Sequence, residues 1–147
     1  MTNRKEIILK LNQIVENKIQ HFQELIEDLR SSNTDTKSSM GDKYETSREM
    51  LQQEIMQIQR QLTAFGQHQI AAKRLKENAS EIIRFGSIVK TTFGNFLIVT
   101  GLGEFESNGE KFISISEQTP LAQELIGKKS GDAFSMNGKT FQILELK

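Results

Sequence analysis

The chain has 147 residues, with 19 basic and 19 acidic side chains, two histidines and no cysteine. The absence of cysteine excludes disulfides, zinc–thiolate sites and cysteine nucleophiles, and the balanced charge lacks the basic excess expected of a duplex-DNA-binding protein. A partner protein is therefore a better expectation than free nucleic acid. No signal peptide is recognisable, and no apolar run approaches the roughly 20 residues that a bilayer requires. We expect a cytoplasmic protein with no membrane association.

The composition changes near residue 80, which predicts two domains. Of the ten glycines, only Gly41 and Gly66 lie in residues 1–80, and the sole proline lies in residues 81–147. Because glycine and proline mark turns, this distribution indicates a helical first half and a second half made mostly of strands. We predict a helical hairpin over residues 1–80 and a small α+β domain over residues 81–147.

Two apolar stripes with alternating steps of three and four residues predict a coiled coil in the first half. The stripes consist of Ile8, Leu11, Val15, Lys18, Phe22, Leu25 and Leu29, widened by Ile19 and Ile26, and of Leu51, Ile55, Ile58, Leu62 and Phe65. Residues 31–41 are small and polar, so they are predicted to let the two helices fold back antiparallel. The pattern alone also suits a dimerisation coil, an incomplete bundle or a spacer.

The second half is predicted to form short strands around one helix. The strands are expected at residues 87–92, 95–100, 111–116, 133–136 and 140–146. A helix is predicted over residues 119–127, because Thr119 can cap it, Pro120 suits its first turn and Gly127 can adopt the left-handed stop. Asn137 and Gly138 tolerate positive φ and predict a hairpin turn.

Most catalytic signatures are absent from the sequence. There is no P-loop, no complete dinucleotide-binding loop, no nucleophile elbow and no metal-binding histidine pair. Three basic residues near the end of the second helix, Lys73, Arg74 and Lys76, could contact phosphate. Basic residues at a helix C-terminus are, however, more simply explained by the helix dipole.

Asp42 and Glu45, at the start of the second helix, are the remaining candidate site. As an N-cap and its partner three residues later, they form a variant of the capping box, and this structural role is the simpler explanation. The same placement puts two carboxylates one turn apart at the end of a rod. Two carboxylates suit a magnesium ion whose other ligands are water and phosphate oxygens, so they would form half of a site that a partner completes.

The chain resembles the Gre family of bacterial transcription elongation factors over nearly its whole length. The resemblance lies in Gly41-Asp42-x-x-Glu45 at the tip and in Gly86–Val89, which opens the second domain. It is strongest over residues 113–128 (ISISEQTPLAQELIGK), similar to the family segment that runs through SPLGRALLGK, and over residues 129–132 (KSGD), similar to its KKVGD continuation.

This resemblance implies an N-terminal antiparallel coiled coil and a C-terminal domain with an FKBP-like fold. In the family, the C-terminal domain docks at the rim of the RNA polymerase secondary channel while the coil enters the channel. The tip acids help to bind a second magnesium ion, and the polymerase cleaves the extruded 3′ end of backtracked nascent RNA. By position, Asp42 and Glu45 would be those acids. The chain would then be a monomeric helper rather than an enzyme, sharing Mg²⁺ with the polymerase and binding none alone.

The tip departs from the family pattern, which leaves other functions open. The family continues as D-x-x-E-N-A-E-Y, whereas Thr46, Ser47, Arg48 and Glu49 follow Glu45 here. A divergent member could bind the secondary channel and modulate or inhibit the polymerase without stimulating cleavage. A dimeric coiled-coil scaffold is a further alternative.

An FKBP-like prolyl isomerase is also conceivable, but the chain has no tryptophan to form the floor of an apolar pocket. Five of the seven phenylalanines of the second half are instead predicted to form the core of a small sheet; they are Phe93, Phe96, Phe112, Phe134 and Phe141.

Overall fold

The computed structural model describes residues 3–35 and 42–147, and the side chains of residues 32–35 and 42–46 lie outside that description. Two long helices, α1 (Arg4–Asp35) and α2 (Asp42–Lys73), precede six strands and one short helix. The predicted fold class, a helical hairpin followed by a small α+β domain, is confirmed. None of the described helices is both long enough and apolar enough to cross a membrane.

The six strands form one mixed sheet in the order β3-β4-β2-β1-β6-β5. Strands β2 and β4 pair in parallel, and the other neighbours pair antiparallel. The strand bounds are β1 Ile88–Thr91, β2 Gly94–Ile98, β3 Gly103–Ser107, β4 Glu110–Ile115, β5 Ala133–Met136 and β6 Lys139–Leu146, and α3 (Pro120–Leu125) lies between β4 and β5.

Strand β3 corrects the sequence prediction, which placed no strand between residues 100 and 111. Phe105 and Ser107 are buried and alternate with exposed Glu104 and Glu106. This alternation with a period of two is typical of a strand with one buried face. The two glutamates give the segment a polar composition that is common in loops. The turn after β3 is Asn108-Gly109, with φ of 51° and 81°.

Helix α3 packs against the sheet and closes its core. Thr119 caps the helix by accepting a hydrogen bond from the Ala122 amide at 3.2 Å, and Gly127 has φ of 91° just beyond its end. Both features confirm the predicted helix signals. The core consists of buried Ile83, Val89, Phe96, Ile98, Ala122, Leu125, Phe134 and Ile143.

The phenylalanines of the second half are only partly core residues. Phe96, Phe112 and Phe134 are buried, as predicted. Phe93 is 46% exposed, so its assignment to the core was wrong. It follows β1 in the turn before β2, and its ring centroid lies 4.5 Å from that of Phe141.

The chain forms two compact units. One consists of Met1–Gln13 with Ile70–Lys147, and the other is Ile14–Gln69. The sheet, the start of α1 and the end of α2 thus belong to one unit, whereas the rest of the two long helices forms the other. The domain boundary predicted near residue 80 follows composition, and it stays a prediction.

The unit Ile14–Gln69 is an antiparallel pair of helical segments. The Phe22 and Phe65 rings meet edge to face with centroids 5.9 Å apart, and Gln69 donates a hydrogen bond to the Glu16 carboxylate at 2.8 Å. The partner residue number falls along α2 as it rises along α1, as antiparallel packing requires.

The buried stripe of α1 is shifted from the predicted one. The buried members are Ile7, Leu11, Val15, Phe22 and Ile26, whereas Ile8 and Leu25 are only half-buried and Lys18 is exposed. Because an α-helix has 3.6 residues per turn, a straight stripe drifts away from a strict alternation of three and four. Ile19, which is half-buried, takes the place that the prediction gave to Lys18.

Helix α1 also continues further than predicted, to Asp35. The polar residues 31–35 have only moderately unfavourable helix propensities, and extending an existing helix costs much less than nucleating one. The remainder of the predicted connection, residues 36–41, lies outside the described residues.

Arg4 links three separate chain segments within the unit that contains the sheet. Its guanidinium donates to the Lys76 carbonyl at 2.7 and 3.0 Å, to the Gly86 carbonyl at 2.7 Å and to the Lys147 carbonyl at 3.1 Å. These bonds join the first turn of α1 to the segment after α2, to the residues just before β1 and to the residue just after β6. Gly86 has φ of 88°, and a Cβ there would lie 3.6 Å from Arg4 Nη2.

We expect Phe22→Ala to lower the free energy of unfolding by about 3 kcal/mol, because it removes a large side chain from the seam and leaves a cavity. Chemical denaturation followed by the helical circular dichroism signal measures this loss. The control is Gln23→Ala, at the exposed neighbouring position. Equal effects of the two substitutions would contradict the burial of this stripe.

We expect Arg4→Ala to lower the free energy of unfolding by about 2–3 kcal/mol, because it removes hydrogen bonds from a charged donor to three carbonyls. Arg4→Lys should recover only part of this loss, since an ammonium lacks the planar set of five donors. Denaturation of both variants, with the exposed Lys5→Ala as control, measures the difference. Full recovery by lysine would show that charge alone matters at this position.

Candidate functional site

The predicted site residues lie at the start of α2. The helix begins at Asp42, so Glu45 is three residues further along and less than one turn away. Residues three apart are neighbours on a helix surface. The side chains of Asp42 and Glu45 lie outside the described residues, so their proposed role as acids that assist catalysis and bind metal stays a prediction.

The backbone placement suits both roles considered for these acids. The first turn of an α-helix carries amide groups without intrahelical partners and the positive end of the dipole. A carboxylate there is stabilised whether it caps the helix or faces a cation that a partner supplies. The observed start of α2 at Asp42 is therefore compatible with capping and with metal binding, and it favours neither.

The two acids lie at one end of the helix pair in the unit Ile14–Gln69. The hydrogen bond between Gln69 and Glu16 marks the opposite end. Gln69 comes 27 residues after Asp42 in the same helix, a separation of about 40 Å at the usual rise of 1.5 Å per residue. The start of α2 thus lies far along the helix from the contact between Gln69 and Glu16.

The described residues contain no group of three or more histidine, aspartate or glutamate side chains that could hold a metal ion. Two carboxylates near one helix end are a partial donor set for Mg²⁺, which commonly takes one or two carboxylates and completes its shell with water and phosphate oxygens. The chemistry of Asp42 and Glu45 therefore fits a shared site.

The outer surface of the helix pair exposes apolar area that sequence reasoning missed. Met50 is 65% exposed and Met56 is 50% exposed, both on α2. A shallow cavity of about 270 Å³ is lined by Arg30, Gln52, Ile55, Met56 and Gln59. Exposed methionines are flexible side chains that adapt to a binding partner. In the sequence, the signal for this exposed surface was that Met50 and Met56 lie outside the predicted apolar stripe of α2.

The residues of the segment most similar to the Gre family pair strands, cap a helix and stabilise a turn. Residues 113–115 lie in β4 beside β2, and Thr119 caps α3. Asp132 accepts a hydrogen bond from the Lys129 amide at 2.9 Å, and Gly131 has φ of 92°. These residues build the turns on either side of α3. The motif therefore carries information on the fold.

Comparison with solved structures finds seven similar chains, three of which are as follows. GreA factor homolog 1 (Gfh1) of Thermus thermophilus is 18% identical, with a TM-score of 0.36 over 92% of this chain and 94% of that one. A second structure, described as the transcription factor Gfh1, is 16% identical, with a TM-score of 0.35 over 92% of each chain. Gfh1 of Thermus aquaticus is 20% identical, with a TM-score of 0.35 over 97% of this chain and 92% of that one.

The first of these proteins is described as a GreA factor homolog. No protein-family model matches the chain, and no curated protein sequence matches it.

Proposed function

We propose that this chain binds bacterial RNA polymerase through the secondary channel and stimulates cleavage of backtracked nascent RNA. The observation that supports the proposal is the presence, in one chain, of two acids at the start of α2 and the Gre-like segment of residues 113–132. By its resemblance to the Gre family, the segment of residues 113–132 predicts a C-terminal domain that docks on the polymerase. The two acids at the start of α2 predict the carboxylates that the helix pair would bring to the active site.

The helix pair suits delivery into a narrow channel. Two packed helices form a rod only two helix diameters wide, about 20 Å. The separation of about 40 Å between Asp42 and Gln69 along α2 would let the acids reach deep into a partner while the base of the pair remains outside.

The acids would complete a site that the polymerase holds. Magnesium, when bound there, orients water and neutralises charge on the phosphate that is attacked. Asp42 and Glu45 would each offer a carboxylate oxygen as a ligand and would be kept ionised by the positive end of the helix dipole. The chain would bind the ion only jointly with the polymerase, and it would not hydrolyse RNA alone.

The partners implied are the polymerase and, within its complex, the 3′ end of the nascent RNA. The chain would act as a monomer, because one helix pair fills one channel. A cytoplasmic location follows from that of the bacterial polymerase.

A second candidate function is a channel-binding regulator that inhibits or modulates the polymerase without stimulating cleavage. The sequence after Glu45 favours it: Arg48 stands where the family pattern D-x-x-E-N-A-E-Y has an acid, and Glu49 stands in place of its tyrosine. These changes alter the charge and shape of the tip while leaving the docking segment intact.

The test is RNA cleavage in stalled, backtracked complexes of the cognate polymerase. We expect the wild-type chain to raise the cleavage rate, and we expect Asp42→Asn with Glu45→Gln to lower that rate by about 100-fold or more, because each amide removes an ionised ligand. The control is Glu49→Gln, an exposed acid of the same helix one turn further on, and it should retain cleavage.

Unfolding of the double variant separates chemistry from capping. Asn is as good an N-cap as Asp, so the stability of the variant should stay within about 0.5 kcal/mol of wild type. If the wild-type chain binds polymerase and slows synthesis without cleavage, the regulator is the correct assignment. A chain that neither binds nor promotes cleavage would contradict both functions.

A further inference from the structure

A concave pocket lies in the unit that contains the sheet, separate from the start of α2. Its cavity volume is about 430 Å³, within the range usual for small-ligand sites. The walls come from the start of α1, the segment after α2 and the entrance to β1. The lining residues include Arg4, Arg74, Lys76, Asn78, Arg84 and Phe85.

The pocket gathers four cations although the whole chain is neutral. The residues that line the pocket include no aspartate or glutamate to balance these charges. Burial, together with the positive charge of Arg84, lowers the pKa of Arg4 below its usual range. Like charges are thus held close together, which costs free energy unless an anion is present.

Two of the arginines are fixed in position by contacts with the protein. Four hydrogen bonds to backbone oxygens, one of them on the last residue Lys147, use four of the five N–H donors of Arg4. The Arg74 guanidinium stacks over the Phe85 ring at 4.3 Å from its centroid. Stacking occupies a face of the guanidinium and leaves its in-plane N–H groups available. A cation that is already fixed loses less side-chain entropy when a ligand binds.

We propose that this pocket binds a polyphosphate group, either a free polyphosphate or the phosphates of a nucleotide. Phosphate oxygens match the planar donors of arginine in pairs, and Arg74 and Arg84 supply two such donor sets. Lys76 adds a mobile point charge, and the amide of Asn78 can donate as well. A diphosphate or triphosphate carries about three to four negative charges, which balances the four cations of the pocket.

This site is independent of the proposed function in transcription, because it uses none of the residues at the start of α2. Of the three basic residues considered in the sequence, only Arg74 and Lys76 line the pocket, and they supply half of its cations. Arg4 and Arg84 are 80 residues apart in the chain, and folding brings them to the same pocket.

The test is isothermal titration calorimetry of the full chain, without polymerase, using inorganic pyrophosphate and ATP as separate probes. We expect saturable binding with one site per chain. Arg84→Gln should weaken binding of either probe about tenfold or more, the loss of a charge-assisted hydrogen bond. Arg84 is exposed and its side chain makes no hydrogen bond within the described structure, so the variant should fold, and its circular dichroism spectrum checks this.

The matched control is Lys139→Gln, which removes one charge from an exposed position outside the pocket. It should bind both probes as the wild type does. Equal affinity for the probes would assign a free polyphosphate, and tighter binding of ATP would assign a nucleotide. No saturable binding of either probe, or equal weakening by Arg84→Gln and Lys139→Gln, would overturn the proposal.

Discussion

Phe22 of α1 packs edge to face against Phe65 of α2, with ring centroids 5.9 Å apart, and the placement of the candidate acids depends on this seam. Each long helix has one apolar stripe and polar residues elsewhere, so neither helix can bury its stripe alone. Antiparallel pairing buries the apolar stripes of both helices against each other. It also brings the end of α1 and the start of α2 to the same end of the pair, which is where Asp42 begins its helix. The chemistry proposed for the acids therefore depends on hydrophobic packing about 30 Å or more away along the helix.

The sheet-containing unit depends on a different kind of interaction. Its core of aliphatic and aromatic residues is ordinary for a small α+β domain, but the first turn of α1 is attached to it by hydrogen bonds from one guanidinium. Arg4 reaches carbonyls of Lys76, Gly86 and Lys147, and this arrangement places a fixed cation next to Arg74 and Arg84. The same bonds that stabilise this unit thus help to concentrate positive charge in one pocket.

The sequence predicted features that depend on neighbours in the chain and missed those that depend on folding. The Asn137-Gly138 turn and the Thr119 cap are local signals, and both are confirmed. Asn108-Gly109 carries the same turn signal and could have revealed β3, but Glu104 and Glu106 obscured the alternation. Lys18 was placed in the seam because the repeat was treated as strictly alternating. Asp42 and Glu45 were recognisable because they lie three residues apart in the sequence, whereas no local pattern links Arg4 with Arg84.

The central claim is that the start of α2 reaches the RNA 3′ end inside the polymerase. The chain has no cysteine, so Lys43→Cys provides a unique attachment point for a photo-crosslinker beside the two acids, and Lys139→Cys provides the control. The most direct measurement is crosslinking of each labelled protein to radiolabelled nascent RNA in a backtracked complex. The account predicts a crosslink to the RNA 3′ segment from position 43 and none from position 139. Binding to the complex without any crosslink from position 43 would contradict it.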